Sequence, residues 1–140
     1  MICATVAKQA DVDGLWPLIS ADVIKCIEKT PTFFTAAELW VMCRSGAGFL
    51  IVVHEGTTIV GASVWRFEEA KFVCLMLVGM NGKMRTGEDW VTALFERAAV
   101  TAKAGGARQL MASGRTILFE KLKKHLPQVR MIRCTVAVEI

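Results

Sequence analysis

The spacing of apolar positions changes character twice along the chain. Val12, Leu15, Trp16 and Ile19 recur at helical intervals, and Val23, Ile24 and Ile27 continue the pattern. Pro17 should confine the first helix to one side of itself, with Ser20 capping a second. Thr35 and Glu38 have capping-box spacing ahead of Leu39, Trp40 and Cys43, and Gly46 closes that third helix. The period then shortens. "FLIVVHEGTTIVGASVWRF" reads as a hairpin turning at Glu55–Gly56–Thr57–Thr58, and Phe49 to Val53 is apolar on both faces, as in a strand covered on both sides. A third apolar run, Phe72 to Met80, precedes "GMNGKMRTGEDW" (Gly79 to Trp90). Val91, Leu94, Phe95, Ala98, Ala99 and Ala102 then form one helical stripe, opened by Thr86 and Asp89 at capping-box spacing and stopped by Gly105–Gly106. "RQLMAS" predicts a short strand and "TILFEKLKKHL" a helix ended by Pro127. "MIRCTVAVEI" alternates as a half-exposed strand. The layout is α/β, a mixed central sheet flanked by helices, in one domain spanning 1–140.

Composition narrows the class without naming a function. Apolar residues make up 54% of the 140, yet no run approaches the length of a membrane span and no basic region precedes an apolar block. A cytoplasmic location is expected. Five cysteines without a paired spacing read as free thiols, and two distant histidines give no zinc pattern, so no metal is expected. A net charge of +4 is too mild to call for nucleic acid.

The loop in "GMNGKMRTGEDW" poses the functional question. Two glycines, Lys83, Arg85 and Thr86 ahead of a helix suit a phosphate cradle. However, Glu88 and Asp89 already put two carboxylates at the helix end that would have to attract one, which favours a plain turn.

The order of elements, Gly61 inside the second hairpin strand, the apolar strand Phe72–Val78 and the glycine-containing loop before Trp90 together resemble the GNAT superfamily of N-acetyltransferases. "LFEKLKK" (Leu118 to Lys124) is similar to that family's "FYEKLGF", and "SADVIKCIEKT" resembles small GNAT-like proteins of tailed bacteriophages. The resemblance implies a mostly antiparallel central sheet. It also implies acetyl-CoA as a cofactor, its pantetheine arm paired with the free edge of the third strand at Leu77 and Val78. Its pyrophosphate would lie on Gly82, Lys83, Arg85, Thr86 and Gly87. The family's loop pattern, Gln/Arg-x-x-Gly-x-Gly/Ala, is met at Gly87, but Met84 stands where Gln or Arg belongs and Asp89 where a small residue belongs.

The family's usual general acid is a tyrosine, and this chain has none; Phe119 stands at its place. Glu68 and Glu69 are the nearest candidates for a base, and Ser113 or Cys134 for an acid. On these departures the sequence favours a GNAT-fold protein that has lost catalysis and binds other proteins, a phage virion or host-cytoplasm component included. The alternative is an acyl-CoA-dependent N-acyltransferase acting on an amine. Trp65 and Phe67, sharing one strand face, or the closing strand Met131–Ile140, are the expected surfaces for a partner or a second copy.

Overall fold

The computed structural model describes residues 1–29, 33–80 and 88–112. Five strands, β1 (Ile2–Val6), β2 (Phe49–Glu55), β3 (Thr58–Glu68), β4 (Lys71–Gly79) and β5 (Gln109–Met111), form one sheet in that spatial order. The first four are antiparallel neighbours, and β5 runs parallel to β4. That parallel pair requires a crossover, which α3 (Glu88–Ala104) supplies. Two further helices, α1 (Val12–Lys29) and α2 (Ala36–Ser45), precede β2. The mixed α/β layout with a mostly antiparallel sheet is therefore as the sequence predicts. The predicted helix Thr116–Leu126 and closing strand Met131–Ile140 lie outside the described residues.

The sheet is covered on both faces because its central strands are apolar at consecutive positions. Ile51, Val53, Trp65 and Phe72 face α3, where Val91, Leu94, Phe95, Ala98 and Ala102 bury the predicted stripe; Ala99 is exposed. Leu50, Val52, Val64 and Met76 face the other way, onto Val12, Trp16, Ile19, Val23, Leu39 and Cys43 of α1 and α2. Each face thus excludes water from its own cluster.

Pro17 does not divide the first helix. α1 is one element of 18 residues with Pro17 inside it. A proline there removes a single backbone hydrogen bond, whereas the stripe Val12, Trp16, Ile19 and Val23 is buried without interruption across it. Packing outweighs the missing bond. The start of α2 follows its sequence signal: the Thr35 hydroxyl accepts from the Glu38 amide and the Glu38 carboxylate accepts from the Thr35 amide, both at 3.1 Å. Gly46 ends the helix at a φ of 85°, in the left-handed region that favours glycine.

Candidate functional site: the open edge of β4

β4 is apolar from Phe72 to Met80, so nothing in the sequence tells its two faces apart. The structure divides them at an irregularity. Met76 lies opposite Val64 and Cys74 opposite Trp65, which leaves Leu75 as an extra residue on β4. Phe72, Cys74 and Leu77 consequently pack toward α3, while the consecutive pair Leu75 and Met76 packs toward α1 and α2. A bulge of this kind bends a strand and re-aims its backbone groups.

Among the described residues, the outer edge of β4 is paired over only part of its length. β5 meets it at Lys71, Phe72 and Val73. From Cys74 to Gly79, no strand among the described residues lies on that side. The bulge falls within this open stretch, and so do Leu77 and Val78, the two residues expected to face a pantetheine arm. The edge is overlooked by α1, whose Cys26 donates its thiol hydrogen to the Leu77 carbonyl at 3.5 Å. Gly82, Lys83, Arg85, Thr86 and Gly87, and likewise Ser113 and Cys134, lie outside the described residues; so do the side chains of Glu88 and Asp89.

At the loop end of the sheet, Gly61 pairs with Gly79, the last residue of β4. A Cβ on Gly61 would sit 2.3 Å from Cζ3 of Trp90. Glycine is therefore what lets the first turn of α3 settle on the sheet beside the end of β4. Trp90 is buried, and its indole N–H has no hydrogen-bond partner among the described residues.

The two glutamates proposed as bases part company. Glu68 accepts from Arg66 at 2.9 Å, and the Arg66 guanidinium lies 5.1 Å from the centre of the Phe34 ring. Arg66 faces Val73 across the strands, so this group stands beside the point where the edge opens. Glu69 sits in the β3–β4 turn with a φ of 55° and belongs to no such cluster.

Cys74 is not a nucleophile in this setting. Burial pushes its thiol up to about 12, a backbone hydrogen bond at Met76 opposes that, and nearby Cys26 adds to it, so the thiol form is favoured. Burial also raises Cys26. Among the described residues no cluster of His, Cys, Asp or Glu is arranged to hold a metal, and no helix is long and apolar enough to cross a membrane.

Trp65 turns out to be core. It is fully buried beneath α3, stacked on Phe72 and donating its indole N–H to the Ser63 hydroxyl at 2.6 Å. It cannot serve as the docking surface expected of it. Ser63, the buried polar residue that holds it, was not singled out from sequence; its position two residues before Trp65 on one strand was the available signal.

No protein-family model matches the chain, and no curated protein matches its sequence. Solved structures do match its fold. A predicted acetyltransferase from Clostridium acetobutylicum, solved with acetyl-CoA, aligns with a TM-score of 0.66 at 12% identity, over 99% of this chain and 96% of that one. A ribosomal-protein-alanine N-acetyltransferase from Brucella melitensis biovar Abortus aligns at 0.65 and 11%, over 100% and 98%. The fold is the GNAT fold. An aminoglycoside acetyltransferase from an uncultured soil metagenomic sample aligns at 0.64 and 16% identity, over 99% of each chain. At such identities the GNAT likeness concerns architecture, and the chemistry has to be argued from this chain's own residues.

Proposed function

We propose that the protein is an N-acyltransferase that takes its acyl group from acetyl-CoA or a related acyl-CoA and passes it to an amine. The observation that carries this reading is the bulged edge of β4 from Cys74 to Gly79, which no strand among the described residues pairs. Unpaired strand backbone requires partners, and an extended ligand bearing amides can satisfy it as an added strand would. Support also comes from the solved acetyltransferases of like fold, one of them solved with acetyl-CoA.

Leu77, Val78 and their neighbours on β4 would hold the pantetheine arm. Gly82, Lys83, Arg85, Thr86 and Gly87 follow the strand directly in sequence and would meet the pyrophosphate. When bound, acyl-CoA would supply an activated thioester from which an amine nitrogen takes the acyl group, an amide C–N bond forming as the C–S bond breaks and the amine's proton ending on the departing thiolate. Of the two candidate proton acceptors we favour Glu68, which is bonded to Arg66, the residue opposite Val73, over Glu69 in the turn.

The missing tyrosine lowers the rate without closing the reaction. An alkyl thiol with a pKa of about 8.5 leaves as thiolate near neutral pH, and a positioned acid typically adds roughly 10²–10⁴-fold. The reading that the chain has lost catalysis and binds proteins rests on that same absence, on the carboxylates Glu88 and Asp89 at the helix start and on the high apolar content.

Calorimetry with acetyl-CoA, followed by thiol release in the presence of an amine panel, decides between the two. The expected result is a Kd tighter than about 100 μM and thiol release that depends on the amine. No binding at about 1 mM acetyl-CoA would overturn the proposal and favour the protein-binding domain.

A further inference from the structure

A shallow groove of about 280 Å³ lies between the end of α1 and the start of α2, lined by Ile24, Ile27, Glu28, Phe34 and Thr35, with the exposed ring of Phe33 at its rim. Two contacts tie it to the open edge of β4. Phe34 stands over Arg66, which faces Val73, where the pairing with β5 ends. Cys26, next to Ile27, touches the Leu77 carbonyl. Ile27, Phe34 and the bulge residue Leu75 also share one apolar cluster. The groove therefore flanks the Val73–Leu77 portion of the edge, the part farther from the β4–α3 loop.

Its chemistry is one-sided. The walls are mostly hydrocarbon and aromatic, and a single carboxylate, Glu28, lies among them. Such a lining favours a ligand with an apolar body and one cationic nitrogen. A polyhydroxylated ligand would leave its hydroxyl groups without partners against those walls. A polycation would find Glu28 as the lining carboxylate for several charges, the nearby Glu68 being already paired with Arg66.

We infer that this groove selects the acyl acceptor, and that the acceptor is a small monoamine with an aromatic or branched aliphatic body. The inference rests on the acyltransferase reading for its role, but amine binding itself can be measured without acyl-CoA. Saturation-transfer NMR of the full chain with phenethylamine should show contacts to the ligand ring that fall several-fold in the double variant Ile24→Ser, Phe33→Ser. Both residues are exposed, so the fold should survive, and circular dichroism checks that it does. In thiol-release assays phenethylamine should exceed spermidine and kanamycin by about 10-fold or more in kcat/KM, and Glu28→Gln should raise KM for phenethylamine about 10-fold with the acetyl-CoA Kd unchanged. Equal or better turnover of spermidine or kanamycin would overturn the inference, as would phenethylamine contacts that are absent or unaltered in the double variant. If acetyl-CoA fails to bind while phenethylamine contacts persist and depend on Phe33, the acyltransferase reading falls and the groove's preference for amines stands.

Discussion

Two indoles show how much a single partner matters. Trp65 and Trp90 are both buried on the α3 face, but among the described residues only Trp65 has an acceptor, the Ser63 hydroxyl. Replacing Ser63 with Ala should leave a second unpaired N–H in the core and cost ~1–3 kcal/mol in urea denaturation. The double variant Ser63→Ala, Trp65→Phe should lose less than the sum of the single ones, because it removes donor and acceptor together. The thiols give a pH signature. Burial pushes Cys43 and Cys74 each up to about 12 from 9.0. A group whose folded pKa is raised stabilises the fold fully below its unfolded pKa. As pH climbs from 9 toward 12 the unfolded chain releases those protons first, and stability falls. Urea midpoints at about pH 8 and about pH 10.5 should differ, and the difference should shrink in Cys43→Ala and Cys74→Ala. A midpoint independent of pH over that range would place both thiols in water.

At the scale of the element, what was legible depended on whether a residue's effect is local. The capping box at Thr35 and Glu38 and the glycine stop at Gly46 act within one turn, and both were readable from sequence. Thr35→Ala should therefore cost about 1 kcal/mol, with the loss showing in the thermal midpoint. Pro17 misleads for the opposite reason. Its local effect is adverse, but the stripe from Val12 to Val23 packs on β2, β3 and β4, all of which lie later in the chain. Pro17→Ala should accordingly raise stability, by ~1–3 kcal/mol, since it restores a backbone bond without disturbing a buried face. A variant less stable than the parent would mean that α1 depends on the proline's bend. The bulge at Leu75 left no trace in sequence, because every residue from Phe72 to Met80 but Gly79 is apolar and a change of face alters nothing in the pattern. The candidate site was readable as a strand followed by a glycine-bearing loop. Its edge is set by a long-range event, the pairing of β5 with Lys71, Phe72 and Val73, beyond which no strand among the described residues lies on that side of β4.

Across the whole molecule, one sheet separates two apolar clusters, and each depends on a helix face that the sequence reports unequally. The α3 stripe is the clearest amphipathic signal in the chain, and Leu94 at its centre has no exposed surface. It packs in the cluster that contains Ile51, Val53, Trp65 and Phe72, so it joins three strands rather than one. A charge there has neither water nor a partner, a penalty of several kcal/mol against a total stability of about 5–15 kcal/mol for a domain of ordinary size. Leu94→Asp should therefore unfold the chain, with loss of the cooperative thermal transition and of acetyl-CoA binding together. Val100 is the matched control: it lies on the same helix, is 61% exposed, and its change to Asp should shift the thermal midpoint by no more than about a degree or two. If both variants unfold, the outer side of α3 is covered by another surface in solution. If neither does, α3 does not hold the sheet, and the two-cluster arrangement on which the open edge depends is wrong.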